Sequence, residues 1–340
     1  MDSAARRWDL LTKPQGSLGK LEAMAVRIAG MTATPLPQPG RKVVFTVAAD
    51  HGVAEEGVSA FPQSVTAQMV HNFLRGGAGI NVLARHAGAE VVVVDAGVAG
   101  EPITAPGLIS KRVRPGTDNL AHRPAMLRQE AEQAVKNGAQ IFRETHWNNR
   151  IKLVGLGDMG IANTTASSAI TAVLTGKPAD QVTGRGTGLG DPELERKVRL
   201  VEQAIRLHQP NPEDGIDVLA KVGGLEIGCL AGIALAAAEA RVPVVLDGFI
   251  TTAAALVAWK INPAVKDYFI ASHRSVEPGH RAALAALELD PLLDLSLRLG
   301  EGTGAALAFS LVDASMKLLS EMATFNQAGV AGKQNKEPVK

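Results

Sequence analysis

A single carboxylate stands between two glycines in the run RLGEGTG, residues 298–304, which we name the glutamate loop. Glycines do not crowd their neighbours and permit backbone conformations that other residues avoid, so the loop can present Glu301 freely. Leu307, Leu311 and Leu318 follow at helical spacing and predict an amphipathic helix. An acid in this position is a candidate general base or ligand contact. The alternative is an ordinary glutamate that complements a helix dipole.

A second acid lies in the run GLGDMG, residues 155–160, directly after a predicted strand. The run matches the G-x-G-x-x-G fingerprint of dinucleotide-binding proteins. Asp158, however, would place a negative charge inside the pyrophosphate loop. The acid expected about 20 residues later should end a strand, whereas Asp180 falls in a loop after a helix. Asn163 and Thr164 begin the next predicted helix, where side chains and free N–H groups can hold a phosphate.

The run TGRGTG, residues 183–188, is a second glycine-rich stretch, which we name the glycine loop. Successive N–H groups in such a run can form a concave nest for an anion, and Arg185 adds a guanidinium. Lys197 follows on the next predicted helix. The loop at residues 155–160 and the glycine loop are each, taken alone, equally well explained as an ordinary strand-to-helix turn. Together with Asp158 and Glu301, the loops indicate a ligand site.

The run AFPQSVTAQM, residues 60–69, leads from a loop into a predicted helix. Phe61 and Met69 offer a flat apolar wall and Gln68 a hydrogen-bonding rim, which together suit a planar aromatic ring. An ordinary core contact explains Phe61 and Met69 equally well. His51 has no cysteine or suitably spaced histidine as a partner, so we expect a structural role in a turn.

Charge and composition exclude several classes of protein. The 340 residues include 35 Lys and Arg and 34 Asp and Glu, and the net charge of +1 argues against a nucleic-acid surface or a polybasic membrane patch. Aromatic residues make up 4% of the chain, too few for a platform that stacks bases. The one cysteine, Cys229, excludes an intramolecular disulfide. We find no signal peptide and no run of membrane-spanning length, and we expect a cytoplasmic location.

Short apolar runs alternate with helical segments through the middle of the chain. Each run ends in a turn of small, acidic or hydroxyl residues. This pattern predicts a doubly wound, mostly parallel α/β sheet with its ligand site beyond the carboxyl ends of the strands. The stretch 100–115, broken by proline and glycine, is predicted to be a surface excursion. The predicted strands are residues 43–49, 91–94, 151–154, 218–222, 242–246 and 268–271.

Helical segments at both ends lie outside this alternating pattern. We expect them to form a small helical subdomain, with residues 1–33 as its N-terminal part and residues 301–326 as its C-terminal helix. Residues 40–300 would form the α/β nucleotide-binding core. Residues 327–340 have almost no apolar side chains and are predicted to be a disordered tail.

The chain resembles the nicotinate-nucleotide–dimethylbenzimidazole phosphoribosyltransferase family from residue 11 to about residue 325, and nine runs, in the family's order, carry the resemblance. The resemblance implies a Rossmann-like sheet with a small helical domain, and a homodimer. It implies transfer of phosphoribose from nicotinate mononucleotide to dimethylbenzimidazole, giving α-ribazole 5′-phosphate and nicotinate in cobalamin nucleotide-loop assembly. The anomeric carbon would be inverted. The runs are LTKPQGSLGKLE, AADHGVAEEGVSAFPQSVT, RGGAGINVLA, GDMGIANTT, TGRGTGLGD, VGGLEIGCLAG, LDGFIT, ASHRS and RLGEGTGAALA.

Residue by residue, the resemblance implies that Glu301 is the catalytic glutamate. Some members of the family have Glu where this chain has Asp158 and Gly where it has Ala162, a departure that bears on base specificity. The implied benzimidazole pocket consists of Phe61, Gln68, Met69 and Leu299. The implied nucleotide and phosphate contacts are Asn163, Thr164, Gly186, Lys197, Gly248 and Ser275.

The implied reaction needs one base. Nicotinate leaves as a neutral ring, and the benzimidazole N–H that becomes acidic after attack must lose its proton. We assign this role to Glu301. Asp158 is a candidate to stabilise positive charge on the ribose or to assist the base.

The implied substrates carry no pyrophosphate for a metal to bridge, so we expect neither a metal nor a cofactor. The expected partners are nicotinate mononucleotide, dimethylbenzimidazole or a related base, and a second copy of the chain. We expect no nucleic acid and no membrane. Two alternatives come from other classes of protein. An NAD-linked oxidoreductase would support hydride transfer, and a non-catalytic nucleotide-binding protein would not turn over nicotinate mononucleotide.

Overall fold

The computed structural model describes residues 1–331, the side chain of Asn149 excepted. The chain divides into two compact units. One, the helical unit, comprises Met1–Gly40 with the described residues from Ser310 onward, and the other, the core unit, is Arg41–Phe309. In the described part of the chain, no helix combines the length and the apolar character needed to cross a bilayer.

One parallel six-stranded sheet runs through the core unit. Its strands are β1 (Lys42–Ala49), β2 (Ala89–Gly97), β3 (Leu108–Ser110), β4 (Leu153–Met159), β5 (Val244–Leu246) and β6 (Phe269–Ala271). The spatial order is β3-β2-β1-β4-β5-β6. All but the first residue of β1 is buried, which is why the central strands read as continuous apolar runs. The predicted doubly wound α/β fold is confirmed.

Helices supply the remaining layers of the core unit and most of the helical unit. Helices α10 and α11 are buried along most of their length, so their sequences lack a polar face. Two 3₁₀ helices span Gly52–Glu56 and Pro263–Tyr268. The α-helices are α1 (Asp2–Leu10), α2 (Lys20–Met31), α3 (Val65–Leu74), α4 (Gly79–Ala87), α5 (Arg128–Asn149), α6 (Asn163–Thr175), α7 (Ala179–Val182), α8 (Asp191–His208), α9 (Gly215–Val222), α10 (Leu225–Glu239), α11 (Phe249–Ile261), α12 (Pro278–Ala286), α13 (Thr303–Glu321) and α14 (Phe325–Ala328).

One of the local predictions is wrong. Residues 218–222 are not a strand but the end of helix α9. The Asp214 carboxylate caps this helix, accepting the N–H groups of Ile216 and Asp217 at 3.0 and 3.1 Å. A short apolar run does not distinguish a strand from a buried helical segment. The predicted surface excursion contains the three-residue strand β3, which pairs with β2.

Residues from both termini build the helical unit. Leu11 forms an antiparallel bridge with Thr324, and the Thr12 N–H donates to the Ala323 carbonyl at 3.0 Å. The predicted boundaries at residues 33, 40, 300 and 326 stay predictions. Residues 327–328 of the predicted tail belong to α14, and residues 332–340 lie outside the described residues. The buried core of this unit consists of Ala4, Trp8, Leu11, Ala25, Ala29 and Leu319.

The sheet reverses its winding at β1, which has β2 on one side and β4 on the other. In sheets of this kind, ligands bind beyond the carboxyl ends of the strands at the reversal. Asp158 lies near the end of β4, and the Thr46 hydroxyl of β1 donates to the Glu301 carbonyl at 2.9 Å. The fold therefore brings the two predicted acids to this point from chain positions far apart.

Candidate active site

A cavity of about 420 Å³ opens beyond the carboxyl ends of the strands. This volume falls in the range of small-molecule sites. Asp158 and Glu301 both line it. The start of α6, the glycine loop and the turns after β5 and β6 form a polar wall. An apolar wall consists of Val58, Phe61, Val65, Met69, Ile161 and Leu299.

Glu301 has a left-handed backbone, with φ of +63°, between two glycines that are also left-handed. For a residue with a side chain, this conformation costs roughly 1–2 kcal/mol. The Glu301 N–H donates to the Asp158 carbonyl at 3.2 Å, and its carbonyl accepts from Thr46. Gly157 permits this close approach, because a Cβ there would collide with the Glu301 backbone. Strain that surrounding contacts maintain in this way is typical of functional positions.

The Glu301 carboxylate lies at the N-terminus of α4. Its Oε2 accepts the Ile80 N–H at 3.0 Å, and the residue is only 5% exposed. Burial raises the pKa of Glu301, while hydrogen bonds from the Ile80 and Gly79 N–H groups oppose the rise. The dipole that Glu301 complements is therefore that of α4 and not that of the helix that follows it in sequence.

Asp247 fastens the rest of the glutamate loop. Its buried carboxylate accepts the N–H groups of Gly302, Gly304 and Ala305 at 3.1, 2.6 and 3.1 Å. Burial raises the pKa of Asp247 to about 7, the three N–H groups oppose the rise, and the charge of Glu301 adds to it. Each hydrogen bond to a charged group contributes about 1.5–3 kcal/mol. These bonds hold the glutamate loop in the conformation that Glu301 requires.

Asp158, on β4, lines the same cavity as Glu301. Its Oδ2 accepts from the Asn163 side-chain amide at 3.0 Å, and its Oδ1 has no hydrogen-bond partner among residues 1–331. Burial raises the pKa of Asp158 well above its usual value, and neighbouring acids, Asp247 first, raise it further. A cavity end with this concentration of carboxylates favours positive charge on a bound ligand.

The glycine loop does not form the open nest of N–H groups that its sequence suggests. The Gly186 N–H donates to Glu277 Oε1 at 2.9 Å, and the Gly188 N–H donates to the Arg185 carbonyl at 3.0 Å. Arg185 is exposed, does not line the cavity and pairs with Asp191 at the start of α8. The Arg185 guanidinium, a candidate anion contact in the sequence, therefore pairs with the Asp191 carboxylate instead.

Lys197 and Arg298 bring positive charge to this wall instead. Lys197 is fully buried, and its Nζ donates to Thr164 Oγ1 at 2.7 Å. Burial lowers the pKa of Lys197 to about 8, and the negative charge of Glu277 opposes the fall. Arg298 donates to the Gly186 carbonyl at 3.3 Å. Only glycine fits at position 186, because a Cβ there would lie 2.9 Å from Thr164 Oγ1.

A chain of hydrogen bonds joins the turns after β5 and β6. The Ser275 N–H donates to His280 Nδ1 at 3.0 Å, and Nε2 of that ring lies 3.0 Å from Thr252 Oγ1. Thr252 in turn donates to the Gly248 carbonyl at 2.8 Å. Burial lowers the pKa of His280 to about 3, so the ring is neutral, and an accepting Nδ1 puts its proton on Nε2. The imidazole links two turns of the polar wall.

The whole chain has clear relatives. It matches the model of a family described as phosphoribosyltransferase over residues 1–330. It is 57% identical over 332 residues to the nicotinate-nucleotide–dimethylbenzimidazole phosphoribosyltransferase of Chloroflexus aggregans, covering 98% of this chain and 94% of that one. The chain belongs to this family. The family member of the same name from Geobacter sulfurreducens is 56% identical over 331 residues, covering 97% and 94%.

Solved structures of the family have the same fold. The crystal structure of CobT from Thermus thermophilus has a TM-score of 0.93 and 51% identity, covering 97% of this chain and 98% of that one. A second structure from that organism, described as the nicotinate-nucleotide–dimethylbenzimidazole phosphoribosyltransferase, has a TM-score of 0.93 and 49% identity, covering 98% of both chains. The family membership that the nine sequence runs imply is confirmed.

Most of the family residues predicted from the sequence lie in this cavity. Lys197 lies behind its lining, on Thr164. Gln68 is exposed on α3 and does not line the cavity, because Val65 and Met69, one helical turn apart, turn that face of the helix inward. The functional roles of all these predicted residues stay predictions. The predicted residues in the lining are Phe61, Met69, Asp158, Asn163, Thr164, Gly186, Gly248, Ser275, Leu299 and Glu301.

Sequence reasoning missed His273 and Glu277 in the lining, and Asp247 and His280 behind it. Asp247 had a usable signal, since an acid directly after a parallel strand belongs at the ligand edge. His51 is buried and pairs with Glu226 at 2.7 Å, a contact within the protein. Within residues 1–331, no group of three or more His, Cys, Asp or Glu side chains is arranged to hold a metal ion.

Proposed function

We propose that this protein transfers phosphoribose from nicotinate mononucleotide to dimethylbenzimidazole, giving α-ribazole 5′-phosphate and nicotinate in cobalamin nucleotide-loop assembly. The observation that carries the proposal is the buried Glu301 carboxylate. It is held at the N-terminus of α4 by fixed hydrogen bonds and faces a cavity of nucleotide size. The names of relatives that share more than half of their residues with this chain support the choice of substrates.

The donor nucleotide suits the polar wall. Lys197 and Thr164 supply an ammonium and a hydroxyl for the 5′-phosphate at the start of α6. A helix start also favours an anion through its free N–H groups. With the phosphate held there, the ribose would extend towards Asp158 and Glu301.

Asp158 acts on the sugar in the proposed mechanism. The ring nitrogen of dimethylbenzimidazole attacks C1′ from the face opposite nicotinate, and the old C–N bond breaks as the new one forms. Nicotinate takes the bonding pair and leaves as a neutral ring, so no general acid is needed. Positive charge develops on the ribose. It lowers the raised pKa of the nearby Asp158 carboxyl group, and the unbonded Asp158 Oδ1 stabilises the charge as the group ionises.

Glu301 completes the reaction by accepting a proton. After attack, the second nitrogen of the benzimidazole carries an acidic N–H, and the Glu301 carboxylate removes that proton. Phe61, Met69 and Leu299 supply apolar contacts for the acceptor ring at the mouth of the cavity. One displacement inverts the anomeric carbon and gives the α-nucleotide, by the logic that separates inverting from retaining glycosidases.

The active species, in our proposal, is a homodimer that acts in the cytoplasm without metal or cofactor. Phe61 and Leu299 are 53% and 60% exposed at the cavity mouth, which supports a partner that covers them. Light scattering at working concentration tests the dimer. Activity that survives exhaustive chelation and dialysis is the expected result for the metal and cofactor.

A mass-resolved assay tests the reaction. Nicotinate mononucleotide is incubated with dimethylbenzimidazole and, separately, with other planar bases, and both products are followed. Release of nicotinate together with an α-configured nucleotide, assigned by proton NMR at the anomeric position, is expected. A β-configured product would require an enzyme-bound ribosyl ester, with Asp158 as the first suspected nucleophile. No transfer to any base would refute the proposal.

A further inference from the structure

Glu277 carries a hydrogen-bond acceptor that the proposed mechanism does not use. The residue precedes α12, is 6% exposed and lines the cavity. Its Oε1 accepts the Gly186 N–H at 2.9 Å, whereas its buried Oε2 has no hydrogen-bond partner among residues 1–331. Leaving a buried carboxylate oxygen without a donor is costly, so a donor on a ligand would find a strong acceptor here.

Glu277 is fixed both through its carboxylate and through its backbone. Gly186 holds one oxygen, and the Glu277 N–H donates to Ser275 Oγ at 3.4 Å. The neutral His280 ring holds Ser275 in turn, through the Ser275 N–H. A Cβ at Gly184 would collide with Oε2, so this glycine provides the space that the free oxygen occupies. A group held this firmly is suited to discriminate between ligands.

The proposed substrates carry few hydrogen-bond donors that could reach Glu277. Ionised phosphate and the carboxylate of nicotinate offer only acceptors, and both would repel the negative charge of Glu277. The N–H of the benzimidazole is assigned to Glu301. The two ribose hydroxyls of nicotinate mononucleotide remain, and a carboxylate that accepts from ribose hydroxyls is a recurrent feature of nucleotide sites.

We infer that Glu277 accepts a hydrogen bond from a ribose hydroxyl of the donor nucleotide and thereby selects ribose over deoxyribose. The inference rests on the proposed function, since it takes nicotinate mononucleotide as the donor. It adds a specificity residue to the polar wall, beside the glycine loop whose Gly186 N–H it accepts.

The test compares kcat/KM for nicotinate mononucleotide and for its 2′-deoxy and 3′-deoxy analogues. In the wild type, loss of the bonded hydroxyl should lower kcat/KM roughly ten- to a hundredfold, the range for one hydrogen bond to a charged group. Glu277→Gln should reduce the preference for ribose, and Glu277→Ala should abolish it. A missing 2′-hydroxyl also changes the intrinsic reactivity of the sugar, but this contribution is common to all variants.

The ratio between two substrates does not depend on the folded fraction of an enzyme, so a general loss of structure cannot imitate the result. Asp191→Asn is the matched control, because Asp191 contacts the glycine loop through Arg185 but does not line the cavity. Its ratios should equal those of the wild type. Nicotinate riboside, which lacks the phosphate, reports whether Glu277 faces the phosphate instead.

An unchanged ribose preference in Glu277→Ala would overturn the inference, and so would a change confined to the comparison with nicotinate riboside. Calorimetric binding of the three nucleotides repeats the comparison without turnover. A wild type that binds nicotinate mononucleotide but transfers nothing would refute the proposed function, and the binding ratios would still decide the role of Glu277.

Discussion

The glutamate loop and the glycine loop are similar in sequence and differ in what they present to the cavity. Both contain left-handed residues, Glu301 at +63° in one and Gly186 at +51° in the other. In the glutamate loop, the Gly302 and Gly304 N–H groups are bound to Asp247, and the Glu301 side chain lines the cavity. In the glycine loop, the side chain of Arg185 is turned away and Lys197 brings the charge from α8.

A carboxylate from another turn fastens each loop. Asp247, after β5, uses both oxygens on N–H groups of the glutamate loop and α13. Glu277, after β6, uses one oxygen on the glycine loop and leaves the other free. An acid with both oxygens bonded within the protein has a structural role, whereas a half-bonded acid in a cavity wall can bind a ligand. Sequence similarity between the loops conceals this difference.

The largest expected effect tests the glutamate loop. Glu301→Gln retains an oxygen for the Ile80 N–H but removes the base. Turnover should fall by roughly two or more orders of magnitude. The Kd for nicotinate mononucleotide, measured by calorimetry, should remain unchanged, because the carboxylate acts on the acceptor. Near-normal turnover would move the base to Asp158, and Asp158→Asn would then show the larger loss.

The next effect tests the glycine loop. Lys197→Met should raise the KM for nicotinate mononucleotide roughly ten- to a hundredfold, since in the proposed function it removes the ammonium that supports the phosphate contact at Thr164. Turnover of nicotinate riboside should change far less. Arg185→Met, which alters the exposed cation of the same loop, is the matched control. A larger effect of Arg185→Met would mean that the loop turns its guanidinium to the substrate after all.

The pH profile of kcat/KM should have an acid limb that Glu301 sets and an alkaline limb that Lys197 sets. On the acid side, kcat/KM should fall as pH drops through the pKa of Glu301, which burial raises above its ordinary 4.5, because a protonated carboxyl cannot accept a proton. On the alkaline side, it should fall as pH rises through about 8, where Lys197 loses its charge. Each limb approaches about tenfold per pH unit.

Lys197→Met provides the control for this profile, because titration of the substrates is common to both enzymes. The variant should lose the alkaline limb and keep the acid limb. If the alkaline limb persists in Lys197→Met, another group carries it, and the charge on the polar wall does not come from Lys197.

The smallest effect tests the link between the turns after β5 and β6. The Thr251 and Thr252 hydroxyls both donate to the Gly248 carbonyl, at 3.1 and 2.8 Å, but only that of Thr252 also contacts His280. Thr252→Val should lower kcat/KM for nicotinate mononucleotide roughly fivefold, as expected for one neutral hydrogen bond. Thr251→Val should have less effect. Equal effects would show that the contact with His280 adds nothing.

Much of the fold could be predicted from local patterns. The long strands β1, β2 and β4 are apolar on both faces because helices cover both sides of the sheet. The glycines and acids after these strands indicate the ligand edge, because ligands bind beyond the carboxyl ends of the strands in such sheets. Strand β3 was not predicted and helix α9 was mispredicted in part as a strand, because three to eight residues carry too little periodicity to separate strand from helix.

The sequence by itself determined the family, the sheet and the identity of Glu301 and Asp158 as candidate acids. Only the tertiary structure decided which groups those acids and loops meet. Glu301 meets the α4 N-terminus 221 residues earlier in the chain, and Gly186 meets Glu277 91 residues later. Gln68 faces away from the cavity, although its neighbour Met69 lines it. The reason is that an N–H group, a guanidinium or a carboxylate bonds to the nearest suitable partner in space, and sequence spacing does not encode that distance.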